Sequence, residues 1–450
     1  MQTQRILYIA FILSISFTNK MAAQENKSVE STIVQDWYKE SFLIKAGDSI
    51  LDMADVDPMA HAAPFLADLN GDGKRDLIVG SYDGKFRFYQ NHGTNSDPKY
   101  DGNAVLLSAG DKDAMVPNWC CVAAGPQLLD VDDDGILDLA SGSYGGLAYW
   151  FKGLGGTRFS DRQTLVDQAG IPLIGRSEFI DTLYSSNNLG SNVAWTDWND
   201  DDVPDLIIGS GIGKNSGELF LRLGTNMPSI GSVTAGSAIP SQPSFLTKNY
   251  YPDTYEIKVA GERAIQESHA APAVADWDGD GLQDILLGTI TGRVYLLRNS
   301  GEEGAPVFNS REVLLEAGAV EQWMPEDSSP QHGARSQVHV ADYNMDGKMD
   351  LLVGTWFNRS TPRKDLSKKE QKRVTALRQQ MADLDKEIGL EPGIYRYKSG
   401  VFGRGDKSKQ YNELRKELEP FLETVTETYY GREQTSSSFM HSHIMVYIQK

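Results

Sequence analysis

The stretch Asp68-Leu-Asn-Gly-Asp-Gly-Lys-Arg-Asp76, followed by Leu77-Ile-Val-Gly80, decides the fold because it recurs. The same nine-residue pattern stands at Asp130-Val-Asp-Asp-Asp-Gly-Ile-Leu-Asp138, Asp197-Trp-Asn-Asp-Asp-Asp-Val-Pro-Asp205, Asp276-Trp-Asp-Gly-Asp-Gly-Leu-Gln-Asp284 and Asp342-Tyr-Asn-Met-Asp-Gly-Lys-Met-Asp350. The starts are 62, 67, 79 and 66 residues apart. Each unit follows a short apolar segment, such as Pro64-Phe-Leu-Ala67, and leads into a strand-like run. A second run comes next (Lys85-Phe-Arg-Phe-Tyr89, Leu147-Ala-Tyr-Trp-Phe151), and a third ends in Ala-Gly, as at Ala109-Gly110 and Ala260-Gly261. Four short strands at a regular repeat predict the blade of an all-β propeller.

The two ends of the chain fit one ring. The fifth unit lacks its third strand until His443-Ile-Met-Val-Tyr-Ile448, while a spare Phe42-Leu-Ile-Lys-Ala-Gly47 precedes the first unit. The N-terminal strand is therefore expected to complete the last blade. This reading gives five blades, with seven as the alternative if residues 171–190 and 224–255 hold degenerate ones. Residues 358–441 interrupt the last blade. Ser367-Lys-Lys-Glu370 is a capping box. Val374, Leu377, Met381, Leu384 and Ile388 form one seam at helical spacing; Tyr411, Leu414, Leu418, Phe421 and Val425 form another, with a kink expected at Pro420. An antiparallel helical hairpin is expected there. The propeller then occupies 24–357 and 442–450.

The chain has 450 residues and a net charge of −19, and 43 aromatic residues to bury. That excludes disorder throughout and disfavours nucleic acid, whose phosphates an acidic field repels. Residues 1–23 read as an export signal: Arg5, an apolar run from Ile6 to Phe17, then Ala22 and Ala23. The run is too short to span a membrane, and no later one approaches 18 residues. A periplasmic or extracellular protein is expected. Cleavage removes Arg5 and Lys20 and no acid, taking the charge from −19 to −21. The two cysteines are adjacent, Cys120 and Cys121. In an oxidising compartment they are either two buried thiols or a vicinal disulfide beside Trp119, a rigid apolar platform for a sugar.

Positions 1, 3, 5 and 9 of each unit carry Asp or Asn. Oxygen ligands two residues apart in a tight loop wrap a hard cation, and glycine at position 6 makes the turn. The candidate calcium ligands are Asp68, Asn70, Asp72 and Asp76; Asp130, Asp132, Asp134 and Asp138; Asp197, Asn199, Asp201 and Asp205; Asp276, Asp278, Asp280 and Asp284; and Asp342, Asn344, Asp346 and Asp350. Asp202 replaces the glycine in the third loop. These motifs resemble the FG-GAP/VCBS repeat family, the calcium-bearing propellers also found in integrin alpha subunits. The resemblance covers residues 42–357 and the last strand. It implies a propeller, export and up to five structural Ca²⁺, and it implies no reaction.

Strand alternation puts the calcium loops on one face and the elaborated links on the other, which is the expected working face. Seven residues before each first Asp stand His61, Ala123, Gly190, His269 and Arg335; fourteen after it stand Tyr82, Tyr144, Gly211, Ile290 and Trp356. Ring closure makes His269, Arg335 and His61 one arc. His61, Tyr82, His269 and Arg335 are the candidate catalytic residues. Arg suits a uronate carboxylate, and His or Tyr can move the proton in a β-elimination or dehydration. Tyr144, Trp119, Trp356, Arg396 and Arg404 are candidate sugar contacts. The last two lie in Tyr395-Arg-Tyr-Lys398 and Phe402-Gly-Arg404, inside a segment (362–409) with 13 Lys+Arg and 7 Asp+Glu. The expected partner is an anionic polysaccharide or its oligosaccharides, by architectural analogy with propeller-type ulvan lyases. Two alternatives stand beside a lyase: a non-catalytic glycan- or protein-binding propeller, and a glycoside hydrolase using carboxylates such as Glu267, Asp57, Glu178 and Asp181.

Overall fold

The structure, a computed structural model, describes residues 30–31, 36–57, 59–118, 123–167, 170, 172–173, 189–212, 216–225, 244–245, 256–302, 305–318, 321–323, 332–387, 406–429 and 432–450. The export segment, Trp119, Cys120, Cys121, Glu178, Asp181, Arg396 and Arg404 lie outside the described residues.

Each carboxylate unit joins an inner strand to a middle strand of one antiparallel sheet. The first blade runs β1 (Ala63–Ala67), β2 (Asp76–Gly80), β3 (Phe86–Tyr89) and β4 (Val105–Leu106). Its register pairs Ala67 with Asp76 and Leu77 with Tyr89. The other four loop-bearing sheets repeat this order around Asp138–Ser141, Asp205–Ile212, Asp284–Gly288 and Asp350–Ser360. The middle strands read as continuous apolar runs because both faces are covered: Leu77, Ile78, Leu286 and Leu352 are buried.

The N-terminal strand Tyr38–Leu43 pairs antiparallel with Ile444–Gln449, Phe42 opposite Val446, so the last sheet is built from both ends of the chain. Backbone bonds at the same register tie neighbouring blades. Ala124 N donates to Ser81 O, Ser191 N to Ser143 O, Ala270 N to Ser210 O and Ser336 N to Thr289 O, each six residues before one loop and thirteen after the preceding one.

The blade count differs from the expected five and from seven. Six sheets of three or more strands occur among the described residues. The sixth is three-stranded: Ser108–Ala109 pairs antiparallel with Lys112–Asp113 and parallel with Arg158–Phe159. The reason is local. Leu107 is fully buried between two short strands, and beyond it the outer edge turns away from its own blade to the next one. The same edge contact recurs as single parallel bridges, Ala46 with Tyr100 and Val259 with Phe308.

The insertion in the last blade carries two helices, α1 (Lys368–Glu387) and α2 (Asp406–Leu418). Ser367 N donates to Glu370 Oε2 at 2.7 Å and Glu370 N to Ser367 Oγ at 3.3 Å, the reciprocal capping bonds. Val374, Leu377, Met381 and Leu384 bury against Tyr411, Leu418 and Leu422. Pro420 does not kink the second helix; that helix ends at Leu418, and a 3-10 turn, Glu419–Phe421, follows. Val425 belongs to a strand instead of the helical seam: Val425–Tyr429 pairs with Arg432–Ser436. Its β-branched run, Val425-Thr426 and Thr428, favours the pleat once proline has stopped the helix.

Candidate functional site

The carboxylate loops share one architecture. In the first, Asp68 Oδ1 accepts the amides of Gly71 (2.9 Å) and Asp72 (3.0 Å), and Oδ2 accepts Gly73 N (2.8 Å). The fourth and fifth repeat this around Asp276 and Asp342. Two left-handed residues bend each loop. Position 6 is Gly73, Gly135, Asp202, Gly281 or Gly347, and position 4 is Gly71, Asp133, Asp200, Gly279 or Met345, with φ between 54° and 89°. The position-4 requirement has no single residue type, so the sequence does not announce it.

Position 9 is a clamp. Asp284 is fully buried; Oδ1 accepts Asn299 N at 2.7 Å and Oδ2 accepts Trp277 N at 3.2 Å. Asp205, Asp138 and Asp350 bind the equivalent pairs of amides. This carboxylate therefore clamps the loop to the third strand. Burial pushes Asp76, Asp138, Asp205 and Asp284 up to about 6 against the pull of those amides. A divalent cation at the loop would reverse that shift by favouring the ionised form. The donors fit such an ion: one oxygen each from Asp130, Asp132 and Asp134 lie within 4.8 Å of one another, as do those of Asp276, Asp278 and Asp280. Carboxylate and amide oxygens on a tight loop are what calcium takes.

The other end of the blades gathers the register residues. The backbone bonds between blades, which continue at His269 N to Gly211 O and Arg335 N to Ile290 O, set the residue seven before a loop beside the residue fourteen after the preceding loop. His61 thus meets Trp356, ring centroids 6.2 Å apart, and Tyr82 edge-on at 5.6 Å. Arg335 Nη1 lies 2.9 Å from His61 Nε2, and its guanidinium sits 4.5 Å above the Trp356 ring. A guanidinium can only donate, so His61 Nε2 is the acceptor and the imidazole is neutral with its proton on Nδ1. His61, His269, Tyr82 and Trp356 are buried, while Arg335 and Tyr144 are half-buried and lead outward.

His269 is 1% exposed, and neither ring nitrogen has a hydrogen-bond partner. Its backbone is left-handed (φ 65°), as is that of Arg335 (φ 57°). Unpaired buried polar atoms and a left-handed backbone thus coincide at His269. Burial, then Arg335, pushes His269 down to about 3. Burial, Arg335 and His269 hold His61 well below the usual histidine range. Both are therefore neutral at ordinary pH.

Asn118 is a residue that the register comparison misses. Its Nδ2 donates to Tyr82 O (3.0 Å) and its Oδ1 accepts Tyr144 N (3.2 Å), fixing both tyrosines. It is not titratable and has no counterpart in the other units, so nothing in the sequence flags it. The remaining histidines are otherwise engaged. His339 Nε2 accepts Leu66 N at 3.2 Å, and His441 Nδ1 lies 2.6 Å from Asp52. The carboxylates weighed for hydrolysis are tied up as well. Glu267 accepts bonds from Thr291, Arg293 and Tyr295, and Asp57 accepts the amides of Met59 and Asp83.

Residues 276–353, the fourth loop through the middle strand of the fifth blade, match the family model of the FG-GAP-like repeat. The chain carries an FG-GAP-like repeat. None of the curated proteins matches this sequence. Among solved structures, this chain is similar to BBS1N in complex with ARL6DN (15% identity, 69% of this chain and 82% of that one, TM-score 0.31). It is also similar to the rhamnogalacturonan lyase YesW (13% identity, 71% and 50%, TM-score 0.31) and to the Dos1 propeller (12% identity, 62% and 50%, TM-score 0.28). Among the described residues, no helix is long and apolar enough to cross a membrane.

Proposed function

We propose that this is an exported, calcium-stabilised propeller that takes an anionic saccharide at the His61–Arg335 cluster and cleaves or dehydrates it by β-elimination. The observation that carries the reading is the 2.9 Å contact from Arg335 to the Nε2 lone pair of a buried, neutral His61. That contact occupies the lone pair of the base. A uronate carboxylate arriving at Arg335 takes over the guanidinium and releases Nε2. Pairing the carboxylate with Arg335 also stabilises the enolate-like charge that forms beside it.

The step balances within the site. His61 Nε2 takes the proton from the carbon next to the carboxylate. The electron pair forms the carbon–carbon double bond, the bond from the adjacent carbon to its oxygen breaks, and the Tyr82 hydroxyl protonates that oxygen. Elimination of a sugar gives chain cleavage, and elimination of a hydroxyl gives water. His269, with two unpaired ring nitrogens, is placed to bind substrate hydroxyls. The calcium loops would hold the scaffold rigid, through the Asp and Asn ligands named above, at the opposite end of the blades.

Tyr82→Phe tests the roles. The ring stays beside His61 and the hydroxyl goes, so binding of a uronic-acid oligosaccharide should persist while formation of unsaturated product falls on the order of 100-fold or more. The low basicity of His269 and His61 favours a second reading, a non-catalytic binder of anionic glycans. Clear retardation in polysaccharide-containing gels, with no unsaturated product from any uronate, would select it.

A further inference from the structure

The five carboxylate loops differ at position 3, and the difference is matched on another strand. Position 3 is Asn70, Asn199 or Asn344 in the first, third and fifth loops, and Asp132 or Asp278 in the second and fourth. The residue that precedes the amide clamped by position 9 faces the loop from the third strand. In the first blade it is Gln90, whose Nε2 lies 3.4 Å from Asp72. In the second it is Lys152, whose ammonium bridges Asp132 and, at 2.7 Å, Asp134. In the fourth it is Arg298, which pairs with Asp278 and is braced by Glu312 at 3.1 Å. In the third and fifth blades it is apolar, Leu223 and Ile448. A cation thus stands at this position in the two blades whose loops carry a fourth carboxylate, and in no other.

We propose that Lys152 and Arg298 set the calcium affinity of their own loops, each cancelling the added carboxylate so that the site presents the same charge as its neighbours. Counted over the four ligand positions, the first and third loops carry −3. The second and fourth carry −4, brought back to −3 by the cation. The fifth carries −3 with the exposed Lys39 2.9 Å from Asp346, a screened pair that counts for less. A unit charge near a divalent ion acts on it strongly even in water-like surroundings, so an uncompensated carboxylate would make two sites bind far more tightly than the rest. Without metal, Lys152 holds the position-3 and position-5 carboxylates of its loop together against their repulsion, while Arg298 pairs with the position-3 carboxylate of its own. Among the described residues, the lysine is held by those two carboxylates alone, whereas the arginine keeps Glu312 and stacks 5.8 Å from the Trp37 ring.

This inference rests on the calcium reading of the loops, and the test separates the two. Hydrogen exchange read by mass spectrometry on the whole protein, over a range of free calcium, gives a midpoint for each loop peptide. Lys152→Met should shift the midpoint of 130–138 to lower calcium by on the order of tenfold, leaving 68–76 in place. Asp132→Asn should shift it upward by a similar factor, and Asp132→Asn with Lys152→Met should return it to within about threefold of the parent. An unchanged or raised midpoint in Lys152→Met overturns the proposal, and so does an equal shift at every loop. If no loop of the parent responds to calcium, the calcium reading fails and the proposal falls with it.

Discussion

Asp284→Ala separates the amide clamp of a position-9 carboxylate from its proposed role as a calcium ligand. Asp284 is fully buried and accepts one amide on each oxygen, Asn299 N at 2.7 Å and Trp277 N at 3.2 Å. Alanine strands both amides where no water reaches them. A buried donor left unpaired costs about 1–3 kcal/mol, so the pair costs about 2–6 kcal/mol with no metal involved. Loss of a calcium ligand adds a second, separable term. A site saturated at about 100 times its dissociation constant contributes ~2.7 kcal/mol, and much of that should vanish for the fourth loop alone. Denaturant unfolding in chelator reads the first term, and the further loss in excess calcium reads the second. A loss below about 1 kcal/mol in chelator would refute the clamp, because the amides must then find other partners. A loss identical with and without calcium would refute the ligand role.

Three other outcomes follow from the same contacts. His269 keeps a folded-state value near 3 against an ordinary 6.5, so its contribution is fully present above pH 6.5 and is lost as pH falls toward 3; His269→Asn, which tolerates φ 65°, should flatten the pH profile of unfolding by about 2 kcal/mol between pH 6.5 and 5, and parallel profiles would count against it. Burial raises Asp76, Asp138, Asp205 and Asp284 to about 6, so calcium binding must displace protons below that pH, and calcium titrations at pH 5 and 7 should differ by up to about tenfold per pH unit at those four loops. Leu377→Ala, fully buried between the two helices, should cost about 2–5 kcal/mol locally, seen as faster hydrogen exchange in Lys368–Glu387 with Asp76–Gly80 unchanged.

The sequence disclosed most where a physical requirement repeats. Five aspartate-rich turns and the apolar runs after them set the strand order, and a fixed offset from those turns brings His61 to Arg335 and Trp356 across the join between the last blade and the first. Closure by an N-terminal strand was legible because the last unit visibly lacked one, but the strand runs Tyr38–Leu43 and not Phe42–Gly47, whose Lys45–Ala46 pairs with Ser49–Ile50. What stayed hidden depends on backbone and pairing more than on residue type. The left-handed position 4 is occupied by Gly, Asp and Met, so no letter marks it. The position-9 carboxylates read as plain ligands, since one of the amides that each clamps lies 15 or more residues away on the third strand. The three-stranded sheet arises because an outer edge prefers the neighbouring blade, which no local pattern encodes. Asn118 works through its amide on two backbone groups, a role with no periodic trace.

The most direct test of the central claim is the appearance of unsaturated uronate, followed by ultraviolet absorbance and mass spectrometry, when the calcium-loaded protein meets alginate, ulvan, polygalacturonate and their oligomers. Absorbance should rise with at least one of them. With Arg335→Gln or His61→Asn it should fall by about 100-fold or more, while melting temperatures stay near the parent value. No rise with any uronate, or a rise that survives both substitutions, would contradict the assignment of elimination to the His61–Arg335 pair.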